Sequence, residues 1–250
     1  MNARIDFNCD LGEGSDDAAL LPFLSSANIA CGFHAGDPVS MQRTVALCLE
    51  HAVAIGAHPS LFDRDGFGRR ERLLSPAEAY ALTLYQIGAL QTMVRAAGGG
   101  LHHVKPHGAL YNMSARDAHL ADAIAHAVRD ADAGLILYGL ANSESTAAGE
   151  RLGLRVAHEA FAERRYESDG RLTPRGISGA VIETLDDSLT QVRQLLRDGS
   201  VTARTGERLM LRADTLCLHG DRADAVDFAR NLHRALRDEG IDILAIGAKK

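Results

Sequence analysis

The sequence has no tryptophan and only six prolines, and aromatic residues make up 5% of its 250 residues. No apolar run approaches the roughly 20 residues that a membrane-spanning helix needs. The N-terminus lacks the basic start and apolar segment of a secretory signal. We therefore expect a cytoplasmic protein that has no membrane partner.

A basic excess is also missing. The chain carries 27 Lys and Arg against 33 Asp and Glu, for a formal net charge of −6. Proteins that bind nucleic acid usually present a clustered positive surface, so no nucleic-acid partner is expected. The four cysteines are Cys9, Cys31, Cys48 and Cys217, with no CxxC spacing, which is typical of reduced, buried thiols.

Nucleotide-binding signatures are absent as well. The chain contains neither G-x-G-x-x-G nor G-x-x-x-x-G-K-[ST], and the glycine-rich piece Leu11–Gly14 matches neither pattern. There is no Pro/Ser-rich stretch that would mark a linker. Residues 1–250 are thus expected to form a single α/β domain, a size common for barrels.

Short β-like runs alternate with helical segments along the whole chain. Capping signals mark the helix starts, such as Asp37 before Pro38 and the Ser75–Glu78 capping box. Repeated β-α units require parallel strands with right-handed crossovers, and this many units favour a closed (β/α)7 barrel over an open sheet. The predicted strands are 4–9, 28–31, 53–57, 102–105, 135–139, 154–158 and 214–218, with 241–246 as a possible last strand.

Five of these strands share a pattern of side chains. One face is apolar, the other is polar or small, and the polar residue nearest the C-terminal end is titratable. A polar barrel interior is costly unless it is hydrated, paired or functional. Active sites of such barrels lie at the C-terminal ends of the strands. The converging set is Asp10, His34, His58, Lys105, His107, His219 and Asp221.

Each member of this set also has a structural interpretation. A single strand-end histidine often only satisfies a hydrogen bond, Asp10 could cap the following turn, and Asp221 could cap the last helix. Lys105 could lie on the surface, although its parity with His103 and His107 predicts an inward side chain. Two long polar loops, 59–72 and 161–179, follow strands and are expected to be functional.

Asp and His side chains from separate strands could hold Zn²⁺ or another divalent ion. No H-E-x-x-H or similar local pattern supports such a site, so we assign no metal ligands and leave a divalent metal open.

Five motifs together resemble the LamB/YcsF family. They are DFNCDLGEG (Asp6–Gly14), SANIACGFHAGDP (Ser26–Pro38), GAHPS with GFGR (Gly56–Ser60 and Gly66–Arg69), VKPHGALYN (Val104–Asn112) and CLHGD (Cys217–Asp221). The resemblance covers nearly the whole chain. It also includes AFAERRY (Ala160–Tyr166), in which Glu163 replaces the family's Asp, so Glu163 is given no role.

The resemblance implies a distorted TIM-like barrel of the glycoside hydrolase/deacetylase type. It also implies the A subunit of an ATP-dependent 5-oxoprolinase, which cleaves 5-oxoproline to L-glutamate with B and C subunits. Because this chain has no nucleotide loop, we expect ATP to act through the complex, with the partners phosphorylating the lactam oxygen before this chain opens the ring.

The chemistry of ring opening assigns hypothetical roles to these side chains. Water must lose a proton, negative charge must be stabilised and the ring nitrogen must be protonated. Asp10 or a histidine is the candidate base, Lys105 the charge-stabilising group, and His107 or His219 the candidate acid. Arginines could clamp the substrate carboxylate. The catalytic set is Asp10, His34, His58, Lys105, His107 and His219; the substrate-binding set is Asn8, Glu13, Arg69, Arg164, Arg175 and Asp221.

Two other functions are consistent with the pattern. The chain could be a stand-alone metal-dependent deacetylase or amidohydrolase on the same barrel, or a non-catalytic regulatory subunit that binds the lactam. A pure binding pocket would be more apolar than this cluster of titratable groups.

Overall fold

A computed structural model describes residues 4–220 and 224–248 of the chain. Its strands are β1 (Arg4–Leu11), β2 (Ser26–Ala30), β3 (Ala54–His58), β4 (Leu101–Val104), β5 (Ile136–Leu140), β6 (Arg155–Phe161), β7 (Ser200–Thr202), β8 (Arg208–Met210), β9 (Thr215–His219) and β10 (Asp242–Ile243). Its helices are α1 (Asp17–Leu20), α2 (Pro38–Glu50), α3 (Pro76–Ala96), α4 (Gly108–Ser114), α5 (Ala118–Ala131), α6 (Glu144–Arg151), α7 (Leu185–Asp198) and α8 (Ala225–Asp238).

Seven parallel strands close into a barrel in the order β1-β2-β3-β4-β5-β6-β9, with β9 pairing back onto β1. This confirms the predicted (β/α)7 barrel. The predicted last strand is only the two-residue β10, which pairs with the start of β1 beside the barrel. A small antiparallel hairpin, β7–β8, lies between α7 and β9.

Helix starts follow the predicted capping residues. The Asp37 carboxylate accepts hydrogen bonds from the first turn of α2, and the Ser75 hydroxyl does the same for α3. Each cap is followed by a proline at the first helical position, where its missing N–H costs nothing. Among the described residues, no helix combines the length and apolar character needed to cross a bilayer.

Two differences from the prediction affect the site. Strand β6 continues three residues beyond the predicted end at His158 and so brings Glu159 and Phe161 into the barrel. Helix α4 was not predicted, because it follows Pro106 and begins at Gly108, whose φ of 55° is not helical. Both elements contribute to the mouth of the barrel.

The apolar faces of the strands pack outward against the helices. In β1, Ile5, Phe7, Cys9 and Leu11 are fully buried in this core. All four cysteines are free and buried, as expected. Inside the barrel, by contrast, polar side chains form layers stacked along the axis, whereas barrel interiors are usually filled by branched aliphatic residues.

Asp6 is the acceptor of the lowest polar layer. Its carboxylate, 1% exposed, accepts hydrogen bonds from hydroxyl groups on three neighbouring segments. Burial raises the pKa of Asp6, and the hydroxyl donors offset part of that rise. The donors are Ser25 at 2.6 Å, Ser26 at 2.8 Å, Tyr138 at 3.0 Å and Thr215 at 2.6 Å.

Replacing Asp6 with alanine should lower the free energy of unfolding by about 2–4 kcal/mol, because the buried hydroxyls lose their common acceptor. Urea unfolding followed by circular dichroism would measure the loss. Asp65→Ala, at an exposed position, is the matched control and should change stability by less than about 0.5 kcal/mol. Equal effects of the two substitutions would contradict this role for Asp6.

The next layer contains Asn8, Asn28 and His103. The His103 ring passes over Gly56, its Nε2 donates to Asn28 Oδ1 at 2.8 Å, and it stacks on Tyr138 with centroids 4.1 Å apart. Gly56 makes this crossing possible, because a Cβ there would lie 2.1 Å from His103 Nε2. This layer supports the groups of the layer above.

Candidate active site

A cavity of about 460 Å³ opens at the C-terminal mouth of the barrel. Its floor is formed by the ends of β1, β3 and β9 and by the segment after β4. The two long loops that follow β3 and β6 form its walls, as expected. The titratable residues at the floor are Asp10, His58, Lys105, His107 and His219.

Lys105 is the central cation of the floor. Its side chain is 3% exposed, and its ammonium nitrogen lies 2.9 Å from Asp10 Oδ1 and 2.9 Å from Glu159 Oε1. It also contacts Asn8 Oδ1 at 3.2 Å and Cys217 Sγ at 3.0 Å. The ammonium group therefore faces more acceptors than it has protons, which fixes its position between two carboxylates.

The pKa values of this pair diverge. Burial raises the pKa of Asp10, but His58 and Lys105 lower it by more. The pKa therefore lies well below its usual range, and the carboxyl group is ionised. Burial lowers the pKa of Lys105, but Asp10, Cys217 and Glu159 raise it to well above its usual range. Asp10 is thus a weak base and Lys105 a permanent cation, which suits charge stabilisation better than proton transfer.

His58 and His107 face each other at the cavity floor. His58 Nδ1 lies 2.7 Å from the Lys105 carbonyl and His107 Nε2 lies 2.8 Å from the Phe67 carbonyl, so both nitrogens must donate. The remaining nitrogens, His58 Nε2 and His107 Nδ1, are 2.9 Å apart. Asp10 Oδ2 lies 3.3 Å from His58 Nε2.

His34 lies behind this pair. Its ring stacks on His107 with centroids 3.8 Å apart. Its Nε2 contacts Glu13 Oε1 at 2.7 Å and its Nδ1 contacts Ser60 Oγ at 2.8 Å. Burial, followed by the charge of His58, lowers the pKa of His34 to about 3, so the ring is neutral.

His219 is the most exposed histidine of the floor, with 12% of its side chain accessible. Its Nδ1 lies 2.6 Å from Glu163 Oε1, and its ring stacks on Phe161. A carboxylate that accepts the Nδ1 proton fixes the tautomer and orientation of the ring, as in a hydrolytic triad. The other ring nitrogen, Nε2, is then the one available for acid or base chemistry.

Arginines line the outer part of the cavity. Arg164 is buried, and its guanidinium donates to the carbonyls of Thr173 and Ala180, so it fixes the loop after β6. Burial, followed by the charge of Arg175, lowers the pKa of Arg164 to about 10. Arg69 and Arg175 are exposed at the rim, where they can reach an anionic ligand.

The structure brings most of the predicted residues together. Asn8 lies one layer below the cavity, and Glu13 and His34 lie behind His58 and His107, so none of these three lines it. Asn8 contacts Lys105, and Glu13 contacts His58 and His107. Asp221 lies outside the described residues. The predicted residues that line the cavity are Asp10, His58, Lys105, His107, His219, Arg69, Arg164 and Arg175.

Three further residues of the site were not assigned from the sequence. Glu159 was missed because the predicted strand ended at His158. Glu163 was noted without a role, and Tyr111, within VKPHGALYN, was not singled out. The Tyr111 hydroxyl and Glu159 Oε2 are both buried with no hydrogen-bond partner among the described residues. Burial, followed by Glu159, raises the pKa of Tyr111, so it remains a neutral donor beside the cavity.

Known proteins with similar sequences identify the family of this chain. The sequence model of the LamB/YcsF family matches residues 5–250. The chain belongs to the LamB/YcsF family. A relative from Bordetella pertussis, the A subunit of 5-oxoprolinase, is 54% identical over 98% of this chain and 100% of its own length.

Among solved structures, the LamB/YcsF chain is similar to a lactam utilization protein from Thermus thermophilus. That protein is 43% identical, with a TM-score of 0.91 over 97% of this chain and 100% of the other. A family 4 carbohydrate esterase from Streptomyces lividans shares the fold at 12% identity, with a TM-score of 0.51 over 98% of this chain and 94% of its own. The predicted deacetylase type of barrel is therefore confirmed.

Proposed function

We propose that this chain is the ring-opening A subunit of an ATP-dependent 5-oxoprolinase and acts with B and C subunits. The observation that carries the substrate assignment is the full-length match, at 54% identity, to the A subunit of 5-oxoprolinase from Bordetella pertussis. The cavity supports it, because a fixed cation, a fixed carboxylate and a Glu–His pair converge at one floor.

In the proposed reaction the partner subunits transfer the terminal phosphoryl group of ATP to the lactam oxygen. A first water adds to the ring carbon, the carbon–nitrogen bond breaks, and the nitrogen takes a proton. The resulting acyl phosphate reacts with a second water to give glutamate and phosphate. ATP thereby activates a resonance-stabilised amide, and this chain needs no nucleotide loop of its own.

The residues of the floor match these steps. Lys105, held protonated by Asp10 and Glu159, stabilises the negative charge on the oxygen or phosphoryl group. His219, oriented by Glu163, moves the proton between water and the ring nitrogen. Arg175 at the rim is suited to the substrate carboxylate; no ion pair occupies its guanidinium among the described residues.

The test is glutamate release from 5-oxoproline and ATP, measured with this chain, with B and C, and with all three. We expect release only when all components are present. Release that B and C give without this chain would contradict the proposal. Release by this chain alone, independent of ATP and abolished by a chelator, would instead favour a metal-dependent amidohydrolase.

A further inference from the structure

Four side chains converge behind the cavity floor from the ends of four consecutive strands. Glu13 follows β1, His34 follows β2, His58 ends β3 and His107 follows β4. Glu13 Oε1 lies 2.7 Å from His34 Nε2, 3.4 Å from His107 Nδ1 and 3.8 Å from His58 Nε2. All four inner atoms lie within 4.8 Å of one another.

The outer nitrogen of each ring faces an acceptor. His58 Nδ1 faces the Lys105 carbonyl and His107 Nε2 faces the Phe67 carbonyl. His34 Nδ1 faces the Ser60 hydroxyl, which itself donates to the Leu61 carbonyl and so can accept from the ring. These contacts place the N–H of each ring on the side away from Glu13, as at metal-ligating histidines. The stacked rings of His34 and His107 would turn apart for both to bind one ion.

The spacing of the inner atoms suits a small cation. Tetrahedral coordination at ~2.1 Å from the metal separates ligand atoms by roughly 3.4 Å. Glu13 Oε1 lies 2.7–3.8 Å from the three ring nitrogens, and His58 Nε2 lies 2.9 Å from His107 Nδ1. Three imidazole nitrogens and one carboxylate oxygen are a ligand set typical of Zn²⁺ and related ions.

Charge points the same way. The side chains of Asp10, Glu13 and Glu159 are three carboxylates no more than 6% exposed, and Lys105 is the ammonium group that faces Asp10 and Glu159. Three buried carboxylates beside one ammonium leave an excess of acidic groups. A divalent cation would balance this excess and so reduce the cost of desolvation.

From this arrangement we propose that Glu13, His34, His58 and His107 bind one divalent transition-metal ion of the Zn²⁺ class. The site is inferred from ligand geometry alone, independently of the reaction proposed above. His58 and His107 also line the cavity, so the ion would lie in its wall beside Asp10. There its positive charge would add to that of Lys105 at the cavity floor.

The test uses the full chain, stripped with a chelator, dialysed against Co²⁺ or Zn²⁺ and desalted. We expect about one ion per chain by elemental analysis, and the strong visible absorption of tetrahedral Co²⁺. A wild-type chain that retains no ion, or retains it without the tetrahedral spectrum, would overturn the proposal.

Variants locate the site. His34→Gln and Glu13→Gln should lose the bound ion, whereas His158→Gln, a buried histidine elsewhere in the barrel, should keep it. Ser60→Ala removes only the outer partner of His34 and should weaken the affinity about 10–100-fold. Circular dichroism would confirm that each variant is folded; retention of the ion by folded His34→Gln and Glu13→Gln would overturn the assignment.

Discussion

Replacing Asp10 with asparagine is expected to lower the kcat of ATP-dependent glutamate release by about 10²–10³-fold in the assembled complex. The substitution keeps the volume of the side chain but removes the anion that both Lys105 and His58 contact, at 2.9 and 3.3 Å. Lys105 would lose its orientation and part of its field at the point where negative charge develops. The measurement is steady-state glutamate release with saturating 5-oxoproline and ATP.

Asp6→Asn is the matched control for this experiment. Asp6 lies on the same face of the same strand, equally buried, but it belongs to the lowest polar layer and does not line the cavity. We expect it to reduce stability while the folded fraction retains near-normal kcat. If Asp10→Asn reduced kcat no more than Asp6→Asn does, Asp10 would be a structural residue.

The sequence predicted the interior side chains of this site from their alternation along each strand. Alternation along β1 correctly placed Asp6, Asn8 and Asp10 on the interior face, because side chains of a strand must alternate. The alternation shows which face of the strand a side chain lies on, but not its position along the barrel axis. It could not show that Asp10 reaches the cavity while Asn8 lies one layer below, because that position depends on strand tilt and on the register between strands.

The ends of the strands also limited the prediction of the site. Glu159 lies on the interior face, but it follows the predicted end of its strand. Strand ends depend on pairing with neighbouring strands rather than on local sequence. The sequence also could not predict that Glu13 lies next to three histidines. These four side chains lie at or just after the ends of four separate strands, so no local spacing pattern links them.

Replacing Lys105 with methionine is expected to eliminate measurable glutamate release and to lower the free energy of unfolding by about 3–5 kcal/mol. Methionine fills most of the space but leaves Asp10 and Glu159 facing each other across a buried site without their cation. Loss of activity alone would not separate a catalytic role from a structural one, because both follow from the same ion pairs.

The double variant Lys105→Met with Glu159→Gln separates the two roles. It removes one of the two carboxylates that the single substitution leaves without a cation, so urea unfolding should show that part of the lost stability returns. Turnover should not return, because the positive charge at the cavity floor is still missing. Recovery of both stability and glutamate release in the double variant would show that Lys105 only balances buried charge. Recovery of stability without turnover would establish that its charge acts on the reacting substrate.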